Sequence, residues 1–224
     1  MDINKILQSV DHTLLSPDAT KEDILEICRD GIKFHTASVC IPPSFVKDAA
    51  EFSMGRVKIC TVIGFPLGYS CVEAKIAETK KAICDGADEI DMVINIGALK
   101  EKRYDDILSE ISQIKAVCGD KILKVIIETC LLETEEKIIM CDIVSRSGAD
   151  YIKTSTGFST GGATKEDIIL MRDNVKGIGI KAAGGIKSLR DAEEFLSLGA
   201  TRLGTSRIVK ILKKDEENEQ DTAY

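Results

Sequence analysis

Residues 148–156 read GADYIKTST, and residues 86–95 read GADEIDMVIN. In both, a Gly-Ala-Asp triplet leads straight into a short apolar, β-branched run. Gly199-Ala200-Thr201 opens a third such segment, and Gly31-Ile32-Lys33 occupies a similar place. Each triplet follows a longer stretch with helical periodicity, so the Gly stops a helix and an extended segment begins. The same alternation covers the chain. The candidate strands are SVDHTLL, HTASVCI, VKICTVIGF, EIDMVINI, ILKVIIET, DYIKTST, IGIKAAG and TRLGTS. Strand-then-helix units repeated in this way require parallel pairing, because parallel neighbours need a crossover. Eight of them favour a single closed (β/α)8 barrel over residues 1–212, with residues 213–224, KKDEENEQDTAY, as a charged, flexible tail. The rival, a doubly wound open sheet, lacks a G-x-G-x-x-G after its first strand.

The helical segments carry their own signals. After Tyr104, the residues Ile107, Leu108, Ile111, Ile114 and Val117 form an i, i+3/i+4, i+7 stripe. After Ser70, the expected inward side holds Val72, Ile76, Ala77 and Ile83. Thr20, Thr164 and Ser188 each stand three residues before an acidic residue, as helix N-caps do, and Ser70 with Glu73 has the same spacing.

Composition narrows the function. The net charge of −7 comes without a basic run, and aromatics are 4% with no Trp, so nucleic acid and anionic membrane are poor partners. No apolar run is long enough to span a bilayer and no leader precedes the first element, so a cytoplasmic location is expected. The eight Cys contain no C-x-x-C and fall mostly in apolar stretches, which suits reduced, buried thiols. His12 and His35, the two histidines, are not at metal-ligand spacing, so neither a metal nor another cofactor is expected.

The informative residues are charges inside strands. Lys58 and Lys124 lie near strand starts and are expected at the solvated bottom rim. Lys153 and Lys181 lie toward strand carboxyl ends, where barrels place their active sites. In EIDMVINI the alternation sets Ile90, Met92 and Ile94 toward the helices, so Asp91, Val93 and Asn95 should face inward. One reading is an internal ion-pair cluster. The other is amine catalysis, in which burial and a second nearby cation lower a lysine's pKa and supply the neutral nucleophile. The two lysines, expected on strands one removed from each other, suit that second reading, with Asp91 as acid/base partner. Three glycine- and hydroxyl-rich loops after the last three strands suit a small phosphate.

DEIDMVINIGAL, DYIKTSTGFSTGGAT and KAAGGIKSLRDA, with TVIGFPLG, TASVCIPPS and VDHTLL, resemble the deoxyribose-phosphate aldolases from about Asp11 to Arg207. The resemblance implies a metal-free class I aldolase that cleaves 2-deoxy-D-ribose 5-phosphate reversibly to glyceraldehyde 3-phosphate and acetaldehyde, in a homo-oligomer (dimer or tetramer). It makes Lys153 the Schiff-base lysine, Lys181 the lysine that perturbs it and relays protons, and Asp91 the acid/base aspartate. It places Gly157, Gly184, Gly185, Gly204 and Ser206 near the phosphate, and Asp11, Thr13 and Cys40 along the pocket. Tyr224 matches a terminal Tyr that in some members folds back to help proton transfer. Two departures touch the phosphate end. Phe158 stands where some members have a Lys, and Arg207 where some have a second Ser. Two alternatives stay open: a class I aldolase for another phosphorylated aldehyde, and a non-catalytic barrel that binds a phosphometabolite.

Overall fold

The computed structural model describes residues 2–221. Eight parallel strands close into a barrel in sequence order. They are β1 (Val10–Thr13), β2 (Ser38–Ile41), β3 (Lys58–Ile63), β4 (Glu89–Val93), β5 (Ile122–Ile126), β6 (Tyr151–Lys153), β7 (Gly179–Ala183) and β8 (Arg202–Thr205). The helices are α1 (Ile3–Leu7), α2 (Lys21–Lys33), α3 (Val46–Ser53), α4 (Val72–Cys84), α5 (Ile96–Lys100), α6 (Tyr104–Cys118), α7 (Thr134–Arg146), α8 (Lys165–Asn174), α9 (Leu189–Leu198) and α10 (Ile208–Asp221).

The recurring triplet has a physical job. Gly86, Gly148 and Gly199 adopt positive φ (106°, 83° and 124°), which lets the chain leave a helix and turn straight into a strand. The third residue then ties that strand to its neighbour. Asp88 Oδ2 accepts from Ile59 N (3.0 Å), and Asp150 Oδ2 accepts from Leu123 N (2.8 Å). Thr201 Oγ1 accepts from Ile180 N (3.3 Å) in the same way. Each unit thus caps an amide at the start of the preceding strand, which fixes register one strand at a time.

Ile90, Met92 and Ile94 join the layer between barrel and helices, as the alternation requires. Thr20, Thr164 and Ser188 cap α2, α8 and α9. The Ser70 reading is corrected: α4 starts one residue later, with Cys71 at the cap and no side-chain cap bond. The inward face of α4 also differs. Ala77 is exposed, and Lys75, Thr79 and Ala82 are buried. Lys75 donates to Val93 O at the end of β4 (2.8 Å) and to Glu110 Oε1 on α6 (2.7 Å). Residues 213–221, expected as a tail, continue α10. Their charges find partners on α2: Lys213 on Glu26 and Asp30 (3.0 Å each), and Glu216 on Lys33.

All eight cysteines are free; Cys71, Cys84 and Cys130 are exposed and the other five buried. Burial pushes the Cys118 thiol up to about 11 and that of Cys141 to about 12. A native thiol titration with a disulfide reagent is therefore expected to give a fast phase from Cys71, Cys84 and Cys130, with Cys118 and Cys141 silent until denaturant is added. Rapid labelling of Cys141 in the folded protein would contradict this packing.

Candidate active site

Strand alternation and register bring seven charged side chains together inside the barrel. β6 and β7 are direct neighbours, with Lys153 in register with Lys181, so the expectation of an intervening strand is corrected. Asp91 on β4 is in register with Lys124 on β5, and Lys181 with Arg202 on β8. Asp91 Oδ2 accepts from Lys153 Nζ (2.8 Å) and from Lys181 Nζ (2.7 Å). Its Oδ1 accepts from Lys124 Nζ (2.9 Å) and from the Cys60 thiol (3.2 Å). Below it, Asp11 accepts from Lys181, from Arg202 Nη1 (2.9 Å) and from Ser38 Oγ (2.8 Å). Arg202 Nη2 also reaches Glu89 Oε1 (3.0 Å), and Lys124 pairs with Glu89 as well.

The solvated position expected for Lys124 is overturned: its side chain is fully buried. Lys58 does stand at the rim, exposed and paired with Asp88. Leu123 and Val125 face the helices, so Lys124 between them faces the barrel axis. Sequence reading missed Glu89, Arg202 and Cys60 too. Glu89 shares the parity of Asp91, and Arg202 alternates with Leu203 inside TRLGTS, so each was a charge on an inward-facing strand position.

Electrostatics follow from this packing. Burial disfavours the Asp91 carboxylate, but Lys124, Lys153 and Lys181 outweigh it and hold Asp91 well below the usual range. Asp11 is likewise held down by Lys124, Lys181 and Arg202 against its burial. The expected lowering of a lysine by burial and a second cation does not apply to Lys181. Burial works against its ammonium, yet Asp11 and Asp91 raise it well above the ordinary value. Lys181 is therefore a held cation rather than a free amine.

Above the cluster opens a cleft of about 520 Å³. Lys153 lines it, whereas Asp11, Asp91, Lys124 and Lys181 are fully buried beneath. Gly157, Gly184, Gly185, Gly204, Ser206 and Thr13 also line the cleft. Asp11 and Cys40 do not; Asp11 is an ion partner of Lys181, and Cys40 is buried against Cys60, whose thiol lowers its pKa despite burial. The loop from β6 to α8 crosses β7 closely. A Cβ on Gly162 would lie 2.5 Å from the Gly184 carbonyl carbon, so only Gly fits. Lys187, Arg207 and Lys210 stand at the cleft wall without an ion-pair partner among the described residues. Phe158 packs edge-on against Phe65, ring centroids 5.3 Å apart. Tyr224 lies outside the described residues.

Sulfur and carboxylate atoms of Cys40, Cys60 and Asp91, and of Asp11, Cys60 and Glu89, converge within 4.8 Å. Their carboxylates are already taken by Lys124, Lys153, Lys181 and Arg202, so an added cation would face ammonium groups at contact distance.

A lysine on a cleft floor, a carboxylate shared with a second lysine, and glycine loops beside them suit amine chemistry on a small anionic carbonyl compound. The DeoC/LacD family aldolase model matches residues 5–205. The chain belongs to this family of aldolases. It is 58% identical over 220 residues to the deoxyribose-phosphate aldolase of Clostridioides difficile (strain 630), covering 98% of this chain and 99% of that one. It is 57% identical over 220 residues to the deoxyribose-phosphate aldolase of Streptococcus agalactiae serotype V, again covering 98% and 99%. Among solved structures, a tetrameric deoxyribose phosphate aldolase from Aeropyrum pernix superimposes with a TM-score of 0.86 at 32% identity, covering 96% of this chain and 92% of that chain.

Proposed function

We propose that the chain cleaves 2-deoxy-D-ribose 5-phosphate reversibly to D-glyceraldehyde 3-phosphate and acetaldehyde, with Lys153 as the Schiff-base residue. The observation that carries the assignment is the position of Lys153. It is the one lysine of the buried trio Lys124, Lys153 and Lys181 that also lines the cleft, and its Nζ lies 2.8 Å from Asp91. As the amine adds to the C1 carbonyl, its proton passes by way of Asp91 Oδ2 to the carbonyl oxygen. The carbinolamine loses water to give an iminium. The C3 hydroxyl then gives up its proton to Asp91, which returns it at C2 in the next step; the C2–C3 bond breaks, and the electron pair moves onto the iminium as an enamine while glyceraldehyde 3-phosphate leaves. Protonation at C2 and hydrolysis release acetaldehyde and restore the amine. Lys181, bonded to the same Asp91 oxygen at 2.7 Å, keeps that carboxylate in place as a held cation.

The phosphate end is the cleft wall of Gly157, Gly184, Gly185, Gly204 and Ser206, with charge from Lys187, Arg207 and Lys210. Phe158 turns to Phe65, so the cation that some relatives place there is supplied here from the β7 and β8 side. Borohydride reduction in the presence of acetaldehyde is expected to leave a two-carbon adduct on Lys153. An adduct on Lys181 alone, or none, would reject the assignment.

We also infer a homo-oligomer in the cytoplasm. All eight thiols are free, no helix among the described residues is long and apolar enough to cross a membrane, and the Aeropyrum pernix relative is tetrameric. Light scattering on the purified protein tests the assembly; a monomer at micromolar concentration would contradict it.

A further inference from the structure

Glu128 ends the β5 run with φ 53° and ψ 66°, the left-handed region, although it is not glycine. It is buried at 2% exposure, and no cation among the described residues pairs with it. Strain and a buried carboxylate are both costly, and they persist where surrounding contacts enforce them. The contacts here run to one place. Both carboxylate oxygens face the backbone N–H of Thr156 (3.3 and 3.2 Å), and Oε2 also takes the Thr156 hydroxyl. The Thr156 hydroxyl oxygen in turn accepts from Phe158 N (3.0 Å). Two residues on, Cys130 meets Ser159 and Thr160 of the same loop. Thr156, Gly157 and Phe158 line the cleft three to five residues beyond Lys153.

We infer that Glu128 is a positioning residue: it grips Thr156 and so sets the backbone that follows Lys153 against the substrate's phosphate end. This rests on the aldolase reading above. From this left-handed residue the side chain reaches Thr156, just beyond the end of β6. The carboxylate needs no cation because N–H and O–H donors satisfy it. Its role is geometric, so Gln, which has the same shape and can accept from the Thr156 N–H while donating to its hydroxyl, should replace it.

The test compares Glu128→Gln, Glu128→Ala and Glu128→Gly. Gly relaxes the backbone but has no grip, which separates turn strain from the carboxylate. For Ala and Gly, kcat/KM on 2-deoxyribose 5-phosphate should fall by about 100-fold, the scale of a 1 Å misplacement. The loss should be carried by KM, with KM for unphosphorylated 2-deoxyribose little changed. Acetaldehyde trapping on Lys153 should persist, and the Gln variant should stay within about threefold of the parent. Hydrogen exchange gives a readout independent of activity: the amides of Thr156 and Phe158 should lose protection in Ala and Gly and keep it in Gln. Parent-like kinetics for Ala would overturn the proposal, as would a Gln variant that falls as far as Ala. If the parent itself cleaves no deoxyribose phosphate, the substrate reading fails, and the exchange experiment alone still decides whether Glu128 orders the loop.

Discussion

Lys153→Leu is expected to lower turnover of 2-deoxyribose 5-phosphate by on the order of 10⁴-fold or more, since the covalent route is lost and only binding and electrostatic assistance remain. The fold should survive it. Four cations, Lys124, Lys153, Lys181 and Arg202, meet three carboxylates, Asp11, Glu89 and Asp91, in the barrel. Removing the Lys153 charge leaves three of each. Lys181 and Lys124 still satisfy both oxygens of Asp91 (2.7 and 2.9 Å). A thermal melt should therefore give a midpoint close to the parent's. Lys153→Arg sharpens the test. It keeps a positive charge beside Asp91, but a guanidinium does not give up its proton at working pH and cannot form the iminium. If charge alone mattered, Arg would retain most activity; the Schiff-base reading requires both variants to be inactive and unlabelled by acetaldehyde and borohydride.

How much of this was legible in the sequence depends on which physical rule each residue obeys. Asp91 was legible because Ile90, Met92 and Ile94 flank it on alternate positions, and period two is a local property. The barrel was legible for a similar reason. Asp88, Asp150 and Thr201 each make the same bond to the preceding strand, so the repeat in sequence is a repeat in structure. Lys124 obeys the same alternation, but its place near a strand start suggested the rim. Its partners Asp91, Glu89 and Asp11 come from two other strands whose registers no local pattern encodes. The adjacency of Lys153 and Lys181 was implied by consecutive strands in a closed barrel, and the expectation of a strand between them was at odds with that barrel. Glu128 was a charge at the carboxyl end of ILKVIIET, the same signal that Lys153 gave, but its left-handed turn has no period and its bond to Thr156 spans 28 residues.

The Lys124 geometry carries the second large effect. Lys124→Met should cost about 3–5 kcal/mol of stability, the scale found when one partner of a buried ion pair is removed. Met fits the space but offers no donor, so Asp91 Oδ1 keeps only the Cys60 thiol at 3.2 Å, and Glu89 keeps only Arg202. The contrast with Lys153 lies in depth. Lys153 reaches the cleft, where water can enter once it is gone, whereas Lys124 is sealed off. The sign of the pH dependence follows. Asp91 has a folded-state pKa held well below its unfolded value, with Lys124 the largest of the lowering influences. Such a group contributes stability that is present above the unfolded pKa and lost as pH falls through the folded one. Without Lys124 the folded pKa rises, so that loss begins at a higher pH. Acid unfolding followed by circular dichroism should shift to higher pH in Lys124→Met, and the urea midpoint at neutral pH should drop. An acid midpoint identical to the parent's would mean that Lys153 and Lys181 alone hold Asp91 ionised and that Lys124 serves another carboxylate.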